Sequence, residues 1–94
     1  MRRGFLVNCV VYSSSACPKC ELLKRYLQQH NVDHTVRLVE EPEARVDALM
    51  LNIYSTPAVV LNSAVLRQSE LFRGESLNEA ALLAFLGRHT HVEA

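Results

Sequence analysis

Apolar residues run almost without a break through residues 5–12, which predicts a strand covered on both faces. Ser13, Ser14, Ser15 and Ala16 then form a small polar loop. Pro18 follows, and its fixed φ and missing N–H suit the first turn of a helix. From Cys20 the spacing is helical: Leu22, Leu23, Tyr26 and Leu27 share one face, and Glu21, Lys24, Arg25 and Gln28 lie elsewhere. The helix should fade near His30 and Asn31. Residues 35–39 predict a second strand. Glu40, Glu41, Pro42 and Glu43 open a second helix, with proline at its start and acids at the positive end of its dipole. Val46, Leu49, Met50 and Ile53 make the apolar stripe expected for it.

Ser55, Thr56 and Pro57 interrupt that pattern, and residues 58–61 read as a third, short, buried strand. Asn62 and Ser63 read as a turn. Residues 65–72 are expected to form one edge strand, broken or bulged across the polar residues 67–70 and ended by Gly74. Ser76 with Glu79 has the spacing of a capping box. The last helix should carry Leu77, Ala81, Leu82, Phe85 and Leu86 and stop near Gly87, leaving residues 88–94 as a frayed tail.

The predicted order is β-α-β-α-β-β-α. Alternation at the start implies a parallel strand pair with a right-handed crossover. The short link between the last two strands makes them antiparallel. The expectation is an α/β domain with a central four-stranded mixed sheet flanked by helices.

The 94 residues suffice for one domain, with a core over about residues 5–87. Ten basic residues balance ten acidic ones, so overall charge points to neither nucleic acid nor an anionic membrane as partner. No apolar run approaches the ~20 residues of a membrane-spanning helix. Arg2 and Arg3 before an apolar stretch imitate a signal peptide. The stretch is short, contains Asn8, and reads better as a strand. A monomer in the cytoplasm is expected. Three cysteines are too few for a disulfide-stapled secreted mini-protein.

Two of those cysteines bracket Pro18 and Lys19 at the junction of the first strand and first helix. Residues three apart share a helix face, and Cα atoms ~5–6 Å apart fall within the span a disulfide accepts. Cys17 lies at the helix N-terminus, where free N–H groups and the dipole favour an anion. Lys19 adds a positive charge nearby. Both effects lower a thiol pKa, and the thiolate is the nucleophile. Cys17 is therefore the candidate attacking residue and Cys20 the residue that resolves the mixed disulfide. The alternative is a metal or iron–sulfur binding module with Cys17 and Cys20 as ligands. A structural zinc site needs a second ligand pair, which is missing here.

The run Tyr12-Ser-Ser-Ser-Ala-Cys17-Pro18-Lys19-Cys20, with Ser55-Thr56-Pro57-Ala58 downstream, resembles the glutaredoxin-like branch of the thioredoxin superfamily over about residues 5–87. The resemblance implies a thioredoxin-like fold and a thiol–disulfide oxidoreductase. It implies that Pro57 is cis and faces the active-site disulfide. Thr56 would then offer backbone hydrogen bonds to a bound substrate strand.

The chain departs from the family pattern in two places. Glutathione-using members carry Gly-Gly-x-Asp after the last strand, where this chain has Phe72-Arg73-Gly74-Glu75-Ser76. They also often carry a basic residue shortly before the first cysteine, where this chain has serines. The expected partners are a disulfide-containing protein and an electron donor, either glutathione or a reductase enzyme. No cofactor is expected beyond the cysteine pair itself.

Cys9 reads as a buried, inert thiol. Tyr12 is a candidate for the active-site rim. His30, His34, His89 and His91 read as surface residues.

Overall fold

The computed structural model describes residues 9–89. Ten elements follow one another along these residues, in this order. β1 (Cys9–Ser13) leads into α1 (Pro18–Gln29), β2 (Thr35–Leu38) and α2 (Pro42–Met50). β3 (Ala58–Leu61) and β4 (Ala64–Leu66) follow, then a one-turn helix α3 (Gln68–Leu71). A small hairpin, β5 (Phe72–Arg73) and β6 (Ser76–Leu77), precedes α4 (Glu79–His89).

The main sheet has the order β2-β1-β3-β4. β1 runs parallel to β2, with Val11 opposite Val36. β3 is antiparallel to β1, with Tyr12 opposite Ala58, and β4 is antiparallel to β3. The mixed sheet expected from the sequence is therefore present.

Successive strand residues point to opposite faces, and both faces are covered. Cys9, Val11, Val59 and Leu61 pack with Leu23, Tyr26 and Leu27 of α1 and Leu82, Phe85 and Leu86 of α4. Tyr12, Ala58 and Val60 pack with Ala44 and Ala48 of α2 and with Ile53. This two-sided burial is why β1 and β3 are almost wholly apolar rather than alternating. No described helix is long and apolar enough to cross a membrane.

Several expected features differ. α2 turns Ala44 and Ala48 to the sheet, and Val46, Leu49 and Met50 are exposed, Met50 at 78%. At 3.6 residues per turn those three lie about 140–240° round the helix from Ala44. The alanines, one turn apart, are the face that fits closely against the sheet. Only Ile53, beyond the helix, is buried from the expected stripe.

Residues 65–72 are not one broken strand. The polar stretch folds into α3, where the Arg67 N–H donates to Glu70 Oε1 at 2.9 Å and the Leu71 N–H to the Arg67 carbonyl at 2.9 Å. This turn places Leu71 and Phe72 in the core. Gly74, with φ of 60°, forms the tip of the β5–β6 hairpin, a left-handed conformation that glycine adopts without cost. Ser76 and Leu77 belong to that hairpin. The cap of α4 is Asn78, whose Oδ1 accepts the Ala81 N–H at 3.2 Å. α4 continues through Gly87 to His89. The expected start of the first strand at Phe5 and the tail beyond His89 lie outside the described residues.

Candidate active site

The first strand delivers the chain to the site. Ser13, its last residue, is buried, and its carbonyl accepts the Val39 N–H at 2.9 Å. The loop that follows is held from outside: Glu40 Oε2 accepts the Ser15 N–H at 2.7 Å, and this bond lowers the Glu40 pKa below the ordinary carboxylate value. Ala16 then takes a left-handed backbone, φ 52°, which turns the chain into α1.

Cys17 is the N-cap of α1 and Pro18 occupies the first turn. The Cys20 N–H donates to Cys17 Sγ at 3.1 Å. A capping position normally holds an oxygen acceptor. Here a sulfur takes that place, and one of the orphan N–H groups of the helix end points at it. Cys17 and Cys20 are disulfide-bonded, with Cα atoms 5.2 Å apart. Cys20 is wholly buried and Cys17 is partly exposed. An incoming disulfide can therefore reach only the Cys17 sulfur.

The antiparallel pairing of β1 with β3 brings the segment before Ala58 beside the end of β1. The Thr56–Pro57 peptide bond is cis, and Pro57 is buried. Thr56 Oγ1 lies 4.0 Å from Cys17 Sγ and 2.8 Å from Ser14 Oγ. The Thr56 carbonyl accepts from Gln68 Nε2 at 2.6 Å. Arg67 beside it donates to the carbonyls of Leu51 and Asn52 at 2.9 and 3.2 Å. α3 thus fastens the loop that carries Thr56. A cavity of about 320 Å³ opens next to Ser14 and Thr56 and is walled by Glu40, Arg45, Leu49 and Tyr54.

The structure thus brings Cys17, Cys20, Pro18 and Thr56 together, with Pro57 next in the chain. Lys19 is partly buried and its Nζ sits 5.6 Å from the centre of the Phe72 ring, a cation–π contact. Tyr12 is placed elsewhere. It packs in the α2-side cluster and its hydroxyl accepts from Arg37 at 3.1 Å, while Arg37 also binds Asp47. Its contacts are those of a core residue rather than of the site's rim. Cys9 is 3% exposed, and burial pushes its thiol up to about 11. Among the described residues no group of three or more His, Cys, Asp or Glu side chains is arranged to hold a metal. Ser14, Glu40 and Gln68 carry contacts at the site that the sequence reading did not assign. Ser14 had one signal, its place just before the cysteine pair. Its partner Thr56 is 42 residues away.

A helix-capping cysteine pair on a mixed sheet, facing an X-Pro loop at the start of the neighbouring strand, defines a thioredoxin-like domain. The sequence profile of the glutaredoxin family matches residues 9–65, and the chain belongs to that family. Solved structures agree on the fold. A variant of the thioredoxin-like protein BC3987 superposes with a TM-score of 0.69 at 27% identity, covering 84% of this chain and 99% of that one. Glutaredoxin 1 from Francisella tularensis, solved with cacodylate, gives 0.60 at 15% identity over 86% of this chain and 98% of its own. A thioredoxin from Thermus thermophilus gives 0.59 at 22% identity over 87% and 72%. No curated protein sequence matches this chain significantly. Family and bonded cysteine pair together support a thiol–disulfide oxidoreductase.

Proposed function

We propose that the protein reduces disulfides in other proteins through a two-step exchange at Cys17 and Cys20. In the first step the Cys17 thiolate attacks one sulfur of a substrate disulfide. A mixed disulfide forms, and the other substrate sulfur leaves as a thiolate and takes a proton from solvent. In the second step the Cys20 thiolate, formed by loss of its proton to solvent, attacks Cys17 Sγ. The Cys17–Cys20 disulfide forms and the second substrate thiol is released. Two electrons pass from the protein dithiol to the substrate. An external thiol donor, glutathione or a reductase enzyme, restores the dithiol.

The observation that supports this reading best is the asymmetry of the pair. The partly exposed sulfur is the one that caps the helix, where N–H groups and the dipole stabilise a thiolate. The buried sulfur is within bonding distance of it and out of reach of a substrate. Thr56, beside Cys17, is the proposed edge against which a substrate strand lies.

The test is catalysed reduction of a protein disulfide such as that of insulin, with dithiothreitol as electron donor. The wild-type protein should accelerate it, and Cys17→Ser should reduce the rate to that of dithiothreitol alone. Unchanged catalysis by Cys17→Ser would overturn the mechanism.

A further inference from the structure

Three hydroxyl- or sulfur-bearing side chains form a line into the site: Ser14 Oγ to Thr56 Oγ1 at 2.8 Å, and Thr56 Oγ1 to Cys17 Sγ at 4.0 Å. We propose that Ser14 and Thr56 form a two-hydroxyl relay that holds the Cys17 thiolate, with Thr56 donating to the sulfur and Ser14, acting through Thr56, as a positioning residue. This rests on Cys17 being the attacking thiol, and adds a role for side chains that the exchange steps do not use.

The argument is one of donors and acceptors. A hydroxyl has one proton to give and can accept in return. Ser14 and Thr56 are close enough to share one hydrogen bond. If Ser14 donates in it, the Thr56 proton is left free, and the Cys17 sulfur lies within its reach. In the oxidised protein that sulfur is neutral and the contact is long. Reduction turns the sulfur into an anion, a far stronger acceptor, so the relay gains its strength in the state that reacts. The Ser14 bond polarises the Thr56 hydroxyl, and chains of this kind strengthen each member.

Several charged groups on the surrounding elements have other partners. On α1, Lys19 lies over Phe72 and Glu21 pairs with Lys24. Ahead of α2, Glu40 accepts from Ser15, and on α2 Arg45 donates to the Val39 carbonyl. Arg67 donates to the Leu51 and Asn52 carbonyls, and Glu70 accepts from the Arg67 N–H. Arg73, next to Phe72, is exposed. The variants below leave all of these groups unchanged, so a difference between profiles reports the hydroxyls.

The experiment is the pH dependence of iodoacetamide alkylation of Cys17 in the reduced protein, with the modified residue located by mass spectrometry. Ser14→Ala and Thr56→Val should each raise the midpoint by up to about one pH unit, the scale expected for a partial charge-assisted hydrogen bond. The double variant should shift no further than Thr56→Val, because Ser14 acts through Thr56. Ser14→Thr and Thr56→Ser retain the hydroxyls and should keep the wild-type midpoint, which separates the relay from general damage to the fold. A Ser14→Ala profile that superposes on the wild type would overturn the relay. So would additive shifts in the double variant. A wild-type Cys17 that titrates like a free cysteine would instead sink the proposed function, since no stabilised thiolate would exist to attack.

Discussion

Gln68 is the residue through which α3 holds the active-site loop, and its removal should be measurable. Its Nε2 donates to the Thr56 carbonyl at 2.6 Å, a short, partly buried bond across twelve residues of chain. A neutral hydrogen bond contributes about 0.5–1.5 kcal/mol net, and a buried carbonyl left without a donor costs about 1–3 kcal/mol. Thr56 is only partly buried, so water can satisfy some of that loss. Gln68→Ala should therefore destabilise by about 1 kcal/mol, which in a domain of this size lowers Tm by roughly 4–8 °C. Gln68→Glu keeps the length but sets a carboxylate against a carbonyl, and should cost at least as much. The exposed neighbour Ser69→Ala is the control and should stay within about 0.5 kcal/mol of wild type. The assay is thermal unfolding of the oxidised proteins followed by circular dichroism. If Gln68→Ala melts together with Ser69→Ala, α3 does not hold Thr56, and the account of how the loop is fastened is wrong.

Leu27→Ala, at a wholly buried position between α1 and the sheet, should cost about 2–5 kcal/mol in denaturant unfolding, whereas Met50→Ala on the exposed side of α2 should cost under about 0.5 kcal/mol. Cys9, with its thiol raised from 9.0 to about 11 by burial, contributes stability that is fully present below its unfolded value and is lost as pH rises through the folded one. Urea unfolding of wild type against Cys9→Ala should therefore show a wild-type decline between those values that the variant lacks; parallel pH curves would refute the assignment. Ala16→Gly should stabilise by up to about 1 kcal/mol in the same assay, since a left-handed φ of 52° strains alanine and not glycine; a clear loss would show that the loop is not strained there.

The parts of the molecule legible in the sequence are those set by local signals. β1 and β3 are unbroken apolar runs because helices cover both faces of the sheet. Cys17 and Pro18 stand where a helix must begin, so the redox pair could be placed before any tertiary contact was known. The misread parts depend on distant partners. Val46, Leu49 and Met50 have helical spacing, yet which face of α2 turns inward is set by how closely the small side chains of Ala44 and Ala48 fit the sheet. The polar residues of α3 look like a break in a strand. They form a turn because Glu70 reaches back to the Arg67 N–H, while Arg67 and Gln68 reach carbonyls far off in sequence. Ser76 and Glu79 have the spacing of a capping box, but the hairpin claims Ser76 and leaves the cap to Asn78. At the site itself, the cysteines and the Thr56-Pro57 segment were legible, and the hydroxyl contacts of Ser14 and Thr56 were not. The contact of Ser14 with Thr56 exists only because β3 pairs with β1. Tyr12 faces α2 because it alternates with Val11, which faces α1.

The most direct test of the central claim is to leave the attacking sulfur intact and remove the one that resolves. Reduced Cys20→Ser protein is mixed with a peptide containing a single disulfide, and the products are separated without reductant and weighed intact. The account requires an adduct of one half-peptide, located on Cys17 by proteolytic mapping and released by dithiothreitol. An adduct on Cys9, or none while the peptide disulfide is still reduced, would contradict it.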